Sequence, residues 1–380
     1  MLINDYTENT EFTELTNDLL DIRKISDDIA GICKFVQGNL IHSYWLEHYG
    51  VEADPLNKLT EMQTRYAKDL VSLAMLKSGE PSHVFKKPNH RVISICRDFS
   101  LLVCAVLRAK GIPARLRSGF ATYLAQNHFE DHWVCEYWNK EKGWIAVDAQ
   151  LDDIHRQILN FEFDPCDVPS SSFILAGRAW KLCHQNAESD ENFGFRDFKG
   201  LAFIKGSLIR DLYALSKFEM HTWDTGWGIL PKFITPISGE WELTLLDELA
   251  EVSCSSDSVK ALELVKSCNE IRLPSGWDQF ALKADSDSKT FNEDEKLAIR
   301  YMKEIDPCLY LLENESRPML IINGERDDWV PAKFAKDFFE KVKSKYDKNN
   351  TEIAFNLADE SHYFSNDMRD HTICWLNKHL

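Results

Sequence analysis

The sequence predicts an α+β protein in which a helix headed by a cysteine packs on an antiparallel sheet, with helices before this core and a small α/β unit at the C-terminus. Three observations carry that prediction. Cys96 opens a run whose apolar positions Phe99, Leu102, Val103, Val106 and Leu107 share one helical stripe. Ala114–Tyr123, His132–Trp138 and Trp144–Asp148 then alternate as strands, the last two joined by a turn at Asn139–Gly143. After a polar run at Lys283–Thr290, the apolar segment Pro318–Gly324 and the strand-like Glu352–Leu357 flank a helical stretch over about Ala332–Ser344.

The other elements follow from spacing and caps. Ser26-Asp-Asp begins a helix with Ile29, Ile32, Cys33, Val36 and Leu40 on its apolar face, and a second helix is expected from about Lys58 to Lys77. Between them lies the aromatic and histidine-rich piece Ile41–His48, and Pro81–Pro88 makes a polar loop, a candidate rim of a site. The cysteine-headed helix has Ser94 as a candidate cap and stops at Lys110-Gly-Ile-Pro113. Residues 156–235 mix Pro165, Pro169 and several glycines with aromatic stretches and read as irregular structure packed on the core. Helical patterns return at Leu243–Val252 and at Ser258–Cys268, the latter behind Ser255-Ser-Asp257, and a last helix is expected over about Met368–His379. The expected organisation is a helical part at 1–90, a core carrying the cysteine-headed helix and the meander at 91–155, an irregular and helical extension at 156–282, a linker at 283–295 and the α/β unit at 296–380.

Composition narrows the function classes. With 44% apolar and 28% charged residues, a chain of 380 residues has the makeup of a globular protein with a substantial core. A formal net charge of -17 repels phosphate backbones and anionic lipid, so neither nucleic acid nor a membrane is an expected partner. No apolar run approaches a transmembrane span and no basic leader follows Met1, which predicts a cytoplasmic protein. The ten cysteines are scattered without a disulfide framework, and neither Cys-x-x-Cys nor His-Glu-x-x-His occurs, so no metal or other cofactor is expected.

Chemistry concentrates at three positions. A thiol becomes a competent nucleophile when an imidazole or a helix N-terminus lowers its pKa, and Cys96 stands in the first turn of its helix, where both are attainable. His132 opens one predicted strand and Asp148 closes the next, so the hairpin brings a base and its orienting carboxylate opposite each other. The plainer alternative is that an ordered Cys, His and Asp arise by chance in a chain with ten cysteines and twelve histidines; Cys104 and Cys135, on apolar stripes, read as core. Gln37 is a candidate oxyanion donor and Trp133 a candidate shield against water. Trp45, with Tyr44 and Trp138, is a candidate wall of an acyl pocket. His128 could compete as base but falls in a predicted loop, and Arg97 and Asp98 read as braces.

The surrounding words, Cys96-Arg-Asp-Phe-Ser, Leu107-Arg-Ala-Lys-Gly-Ile-Pro-Ala-Arg115, Asp131-His-Trp-Val-Cys-Glu-Tyr137 and Gly143-Trp-Ile-Ala-Val-Asp148, resemble the transglutaminase-like superfamily of papain-type cysteine enzymes over roughly residues 91–152. The resemblance implies a papain-like/transglutaminase-like core, with Cys96 as nucleophile, His132 as general base and acid, and Asp148 as orienting carboxylate. It implies acyl transfer at an amide through a Cys96 thioester, with a peptide, protein or small amide as substrate. Hydrolysis is the leading expectation, transfer to an amine the alternative, and a non-catalytic interaction module with a degenerate triad the competing class. Separately, Pro318–Pro331 and Asp359-Glu-Ser-His-Tyr-Phe364 are similar to the last part of an α/β-hydrolase, with Asp327 and His362 at the acid and base positions. No serine has glycine both two before and two after it, so the nucleophile elbow is missing, and the unit reads as an appendage that could dock a protein partner.

Overall fold

The computed structural model describes residues 3–16, 20–196, 198–222, 224–230 and 237–274, and beyond them 319–324, 352–358, Lys378 and parts of 335–347. The chain divides into two units, Met1–Trp277 and Asp278–Leu380.

In the first unit, helix α1 (Ile29–Asn39) starts under an Asp28 cap whose carboxylate accepts the Gly31 N–H, and its apolar face buries Ile32, Cys33 and Val36. Strand β1 (Leu40–His42) follows without a break. The single helix expected from about Lys58 to Lys77 is two, α2 (Pro55–Glu61) and α3 (Ala67–Ser78). Long-range bonds account for the break. Glu61 turns its carboxylate to the Ile93 N–H at 2.7 Å and to Lys77, and the Ala67 N–H is drawn to the Phe12 carbonyl. The short strand β2 (Val92–Ser94) pairs parallel with β1, matching His42 to Ser94, and delivers the chain to α4 (Cys96–Ala109). Helix α4 is buried from Arg97 to Arg108 and ends on Gly111 at φ +76°, where the Gly111 and Ile112 N–H groups close back on Arg108 and Leu107.

Strands β3 (Ala114–Ala125), β4 (His128–Asn139) and β5 (Gly143–Val147) form an antiparallel meander. Helix α5 (Asp153–Leu159) follows. The region expected to be irregular is then largely regular: β6 (Phe173–Leu175), α6 (Ala176–His184), β7 (Phe193–Phe195), β8 (Phe198–Lys199) and α7 (Leu201–Leu215). Helix α7 escapes a periodicity search because it is buried on several sides; Ile204, Gly206, Ser207, Leu208, Ile209, Asp211, Leu212 and Tyr213 are all inside, so no polar face marks it. Helices α8 (Glu240–Ser255) and α9 (Ser258–Ser267) complete the unit, α9 capped by Asp257.

Strand β3 is flanked by β6 and β4. The far edge of β4 is shared: Phe129 and Glu130 pair with β7, while Cys135–Asn139 pair with β5. Between these ladders Asp131–Val134 have no strand neighbour on that edge among the described residues. One core lies between α1, α3, α4 and the sheet, including Trp133, Val103 and Leu107; a second gathers α6, α7, α8 and α9 around Trp180 and Leu208.

Gly119, the partner of His132 across the β3–β4 ladder, lies tight against β6: a Cβ there would meet the Ile174 carbonyl oxygen at 2.3 Å. Gly119→Ala must push β6 away, and a loss of about 1–3 kcal/mol is expected, read as a lower urea midpoint. An unchanged midpoint would show that β6 yields freely.

In the second unit, β9 (Met319–Gly324) and β10 (Ile353–Ala358) pair parallel in register from Met319↔Ile353 to Gly324↔Ala358. Residues 335, 336 and 338–340, which fall between them in sequence, are helical, as a parallel connection requires. Asp327 and His362 lie outside the described residues. No helix among the described residues is long and apolar enough to cross a membrane.

Candidate active site

The uncovered stretch of β4 receives the start of α4. There the Trp133 amide turns away from β3: its N–H faces the Cys96 sulfur and favours negative charge on it, and its carbonyl accepts from the Ser100 hydroxyl at 3.0 Å. Cys96 and Ser100 are four residues apart and so share a helix face, which lays the first turn of α4 along the gap in the sheet edge. Ser94 does not cap α4, contrary to expectation; its hydroxyl donates to the Val92 carbonyl. Asp98, from inside the first turn, accepts the Ile95 N–H at 3.1 Å and is held by Arg97, itself fixed on the Arg65 carbonyl, so this pair braces the motif as expected. The first N–H groups of α4 are thus left without a side-chain cap among the described residues, with the positive end of the helix at Cys96.

His132 is buried at 1% exposure and its Nε2–H donates to Asp148 Oδ2 at 2.8 Å. His132 does not open its strand, which begins at His128, and it is not directly opposite Asp148. The ladder ends at Cys135↔Val147, so Asp148 stands one residue beyond it and meets His132 on the diagonal, within reach on a single face. The Asp148 carboxylate also accepts the Tyr123 hydroxyl at 2.7 Å and the Gln150 N–H at 3.0 Å, while its own N–H is tied to the Pro165 carbonyl. Burial alone would raise this carboxyl, but the His132 charge and these hydrogen bonds outweigh it and hold it below the ordinary aspartate value. A lowered pKa contributes stability above the ordinary value and loses it as pH falls through the folded one, so the pair weakens only in acid. With Nε2 committed, Nδ1 is the ring nitrogen left to exchange a proton.

Cys96 departs from expectation in its resting state. Burial, followed by the negative charges of Asp131, Asp98 and Asp148, pushes the thiol well above its ordinary pKa, and the Trp133 N–H only partly offsets this. No hydrogen bond joins its sulfur to His132 among the described residues. The free site therefore holds a neutral thiol rather than a thiolate–imidazolium pair.

The other expected site residues separate. Gln37 is not free to stabilise an oxyanion: its Nε2 donates to the Ala149 and Leu151 carbonyls, both at 3.2 Å, bracing the segment behind Asp148. Trp133 does not cover the His–Asp pair, because neighbours on a strand point to opposite faces and its ring is carried into the main core. Trp45 lays its ring on His155 with centroids 3.9 Å apart and walls a neighbouring cluster in which Asp152 accepts from Tyr49 and from His155 Nδ1. His128 lies in β4 rather than in a loop and bonds the Gly194 carbonyl. Trp138 meets Trp144 across the hairpin, and Cys104 and Cys135 are core. Among the described residues no three His, Cys, Asp or Glu side chains gather as a metal site requires.

Two neighbours were not singled out from the sequence. Tyr123 ends the predicted strand, but only the register of β3 on β4 shows that its ring stands edge-on to His132 at 5.9 Å. His42 lies on β1 beside Ser94, and its role depends on a parallel pairing over 50 residues of sequence that no local pattern announces.

The comparisons with known proteins fall on this region. Residues 51–149 match the family model of the transglutaminase-like superfamily. A protein-glutamine gamma-glutamyltransferase of Pseudomonas aeruginosa is 38% identical over 117 residues, 27% of this chain and 18% of the relative, so the match spans less than a fifth of that protein's length. Among solved structures, red sea bream transglutaminase is similar over 37% of this chain and 24% of its own, at 18% identity and a TM-score of 0.24. A candidate cysteine protease from Cytophaga hutchinsonii is similar over 38% of this chain and 46% of its own, at 20% identity and a TM-score of 0.14. Over residues 51–149 this chain is transglutaminase-like.

Proposed function

We propose that the chain is a cysteine-dependent enzyme that transfers the acyl group of an amide through a Cys96 thioester. The observation that carries this is the His132–Asp148 hydrogen bond through Nε2, which fixes the imidazole in one tautomer within the strand stretch that Cys96 faces.

Because burial keeps the thiol protonated at rest, the proton passes from Sγ to His132 Nδ1 as sulfur attacks the carbonyl carbon. A C–S bond forms and the carbonyl electron pair moves to oxygen. Collapse re-forms the carbonyl and breaks the C–N bond, and the imidazolium gives its proton to the departing amine. Asp148 holds the ring and stabilises its charged form without taking the proton. Water or an amine then attacks the thioester carbon as His132 accepts its proton; the C–S bond breaks, the acid or new amide leaves, and the imidazolium returns the proton to sulfur, restoring the thiol. The segment from Cys96 to Asp148 is the machinery of both outcomes, and hydrolysis is the leading reading. The gamma-glutamyltransferase relative supports transfer to an amine as the second.

The two readings separate on product analysis. With a glutamine-containing peptide, hydrolysis yields the free acid whether or not a primary amine is present. An amide product that rises with amine concentration at the expense of acid would make the chain a transferase. Release of neither product from a panel of peptides and small amides would remove both.

A further inference from the structure

Strand β1 sets His42 beside Ser94, two residues before the proposed nucleophile, and rests its ring against Phe99 of the first turns of α4, with centroids 6.3 Å apart. The tautomer follows from one contact. The Tyr44 backbone N–H donates to His42 Nδ1 at 3.4 Å, and because an amide N–H can only donate, Nδ1 carries the lone pair and the proton of the neutral ring is on Nε2. The ring is neutral at working pH: burial first, then the nearby His155 and His132, push it down to about 3, against the opposing pull of Asp148. His42 is therefore within the electrostatic reach of both His132 and Asp148, yet has a different chemical character. Where His132 must exchange a proton, His42 is held as a fixed N–H donor.

Acyl transfer through a thioester needs such a donor. The oxygen acquires a full negative charge as sulfur adds, and the aspartates around Cys96 oppose it. The one side-chain amide expected to help, that of Gln37, is spent on the Ala149 and Leu151 carbonyls. The uncapped N-terminus of α4 supplies backbone donors on one side.

We propose that His42 Nε2–H is the side-chain donor to the oxyanion formed when Cys96 attacks a carbonyl; this rests on the reading of Cys96 as nucleophile. In the addition step the C=O π pair becomes the oxygen lone pair and accepts a hydrogen bond from Nε2–H. His42 gives up no proton, and the bond relaxes when the carbonyl re-forms. A neutral donor suits this role, because it stabilises the developing charge without titrating or competing with His132 for the thiol proton.

The test compares two reactions of the same sulfur in the full chain. Acylation by p-nitrophenyl acetate passes through an oxyanion, whereas alkylation by iodoacetamide displaces iodide at a saturated carbon and forms none. His42→Phe, which keeps a ring against Phe99 and removes the donor, should slow single-turnover acylation of Cys96 by about 10²- to 10³-fold and leave alkylation unchanged. His42→Gln, which restores a neutral N–H donor, should recover much of the loss. Melting curves of both variants should match wild type. Unchanged acylation in His42→Phe overturns the proposal, as does a parallel fall in alkylation, which would make His42 a support of the thiol–imidazole pair. A defect confined to hydrolysis of the preformed thioester overturns it too. Failure of the nucleophile reading has its own signature: wild-type protein would then take no acyl group on Cys96.

Discussion

Cys96→Ala is expected to abolish acyl transfer, with a loss of roughly 10⁴-fold or more, while the protein melts as wild type does. The first half follows from chemistry, since no other group of the site can form the thioester, and nucleophile and base act as a unit. The second half follows from position. Among the described residues Cys96 makes no side-chain bond that another residue depends on, its sulfur faces the Trp133 amide, and α4 is held by its core face and by the Arg97–Asp98 brace. His132→Ala should fall nearly as far in activity. Asp148→Asn should fall less, because the amide can keep the hydrogen bond to Tyr123 while losing the charge that favours the imidazolium. Turnover retained in Cys96→Ala would end the enzymatic account. Activity lost together with folding would show that the residue is structural.

Asp211→Ala is expected to be the most destabilising single change, costing about 3–5 kcal/mol. Arg117 on β3 is fully buried and is held by Asp211 of α7 through two bonds of 2.9 and 2.8 Å. Asp211 also accepts the Ser118 N–H and the Ser253 hydroxyl, and Arg117 reaches on to the Ser253 carbonyl and the Ser256 hydroxyl. Burial alone would lower the guanidinium's pKa, but Asp211 and Glu136 outweigh it and push it up, so Arg117 remains charged. Removing Asp211 leaves the buried cation with Glu136, at 3.3 Å, as its carboxylate partner and cuts the link from β3 to α7, while the bonds from Arg117 to Ser253 and Ser256 of α8 remain. A fall in melting temperature on the order of 10 °C should follow, read by calorimetry. Because β3 is the neighbour of the strand that bears His132, activity should decline at temperatures below the melt. An unchanged melting temperature would mean that the network carries specificity and not stability.

Much of this was legible in the sequence, for identifiable reasons. Helix α4, the meander β3–β4–β5 and the strands β9 and β10 are each declared by local patterns: an apolar stripe closed by Gly111, alternation around the Asn139–Gly143 turn, and two largely apolar runs. His132 and Asp148 could be linked because two strands and a short turn leave few ways to pair. What stayed hidden depends on distant residues. The β1–β2 pairing that brings His42 to Ser94 joins three-residue strands 50 positions apart. The break between α2 and α3 answers to Ile93 and Phe12, and α7 lacks the polar face that would mark it. Gln37 and Trp133 were misjudged because their chemistry is visible in the sequence while their partners, the carbonyls after Asp148 and the interior beside Val103, are not. The raised pKa of Cys96 has the same origin, since a helix N-terminus can be read locally and the burial and carboxylates that oppose it cannot.

The most direct test of the account is intact-protein mass spectrometry of the chain after brief reaction with p-nitrophenyl acetate and acid quench, followed by peptide mapping. The account predicts one acetyl group per chain, on Cys96, that disappears in Cys96→Ala and accumulates more slowly in His132→Ala. Acetylation spread over several cysteines or lysines, or an adduct that persists in Cys96→Ala, would contradict it.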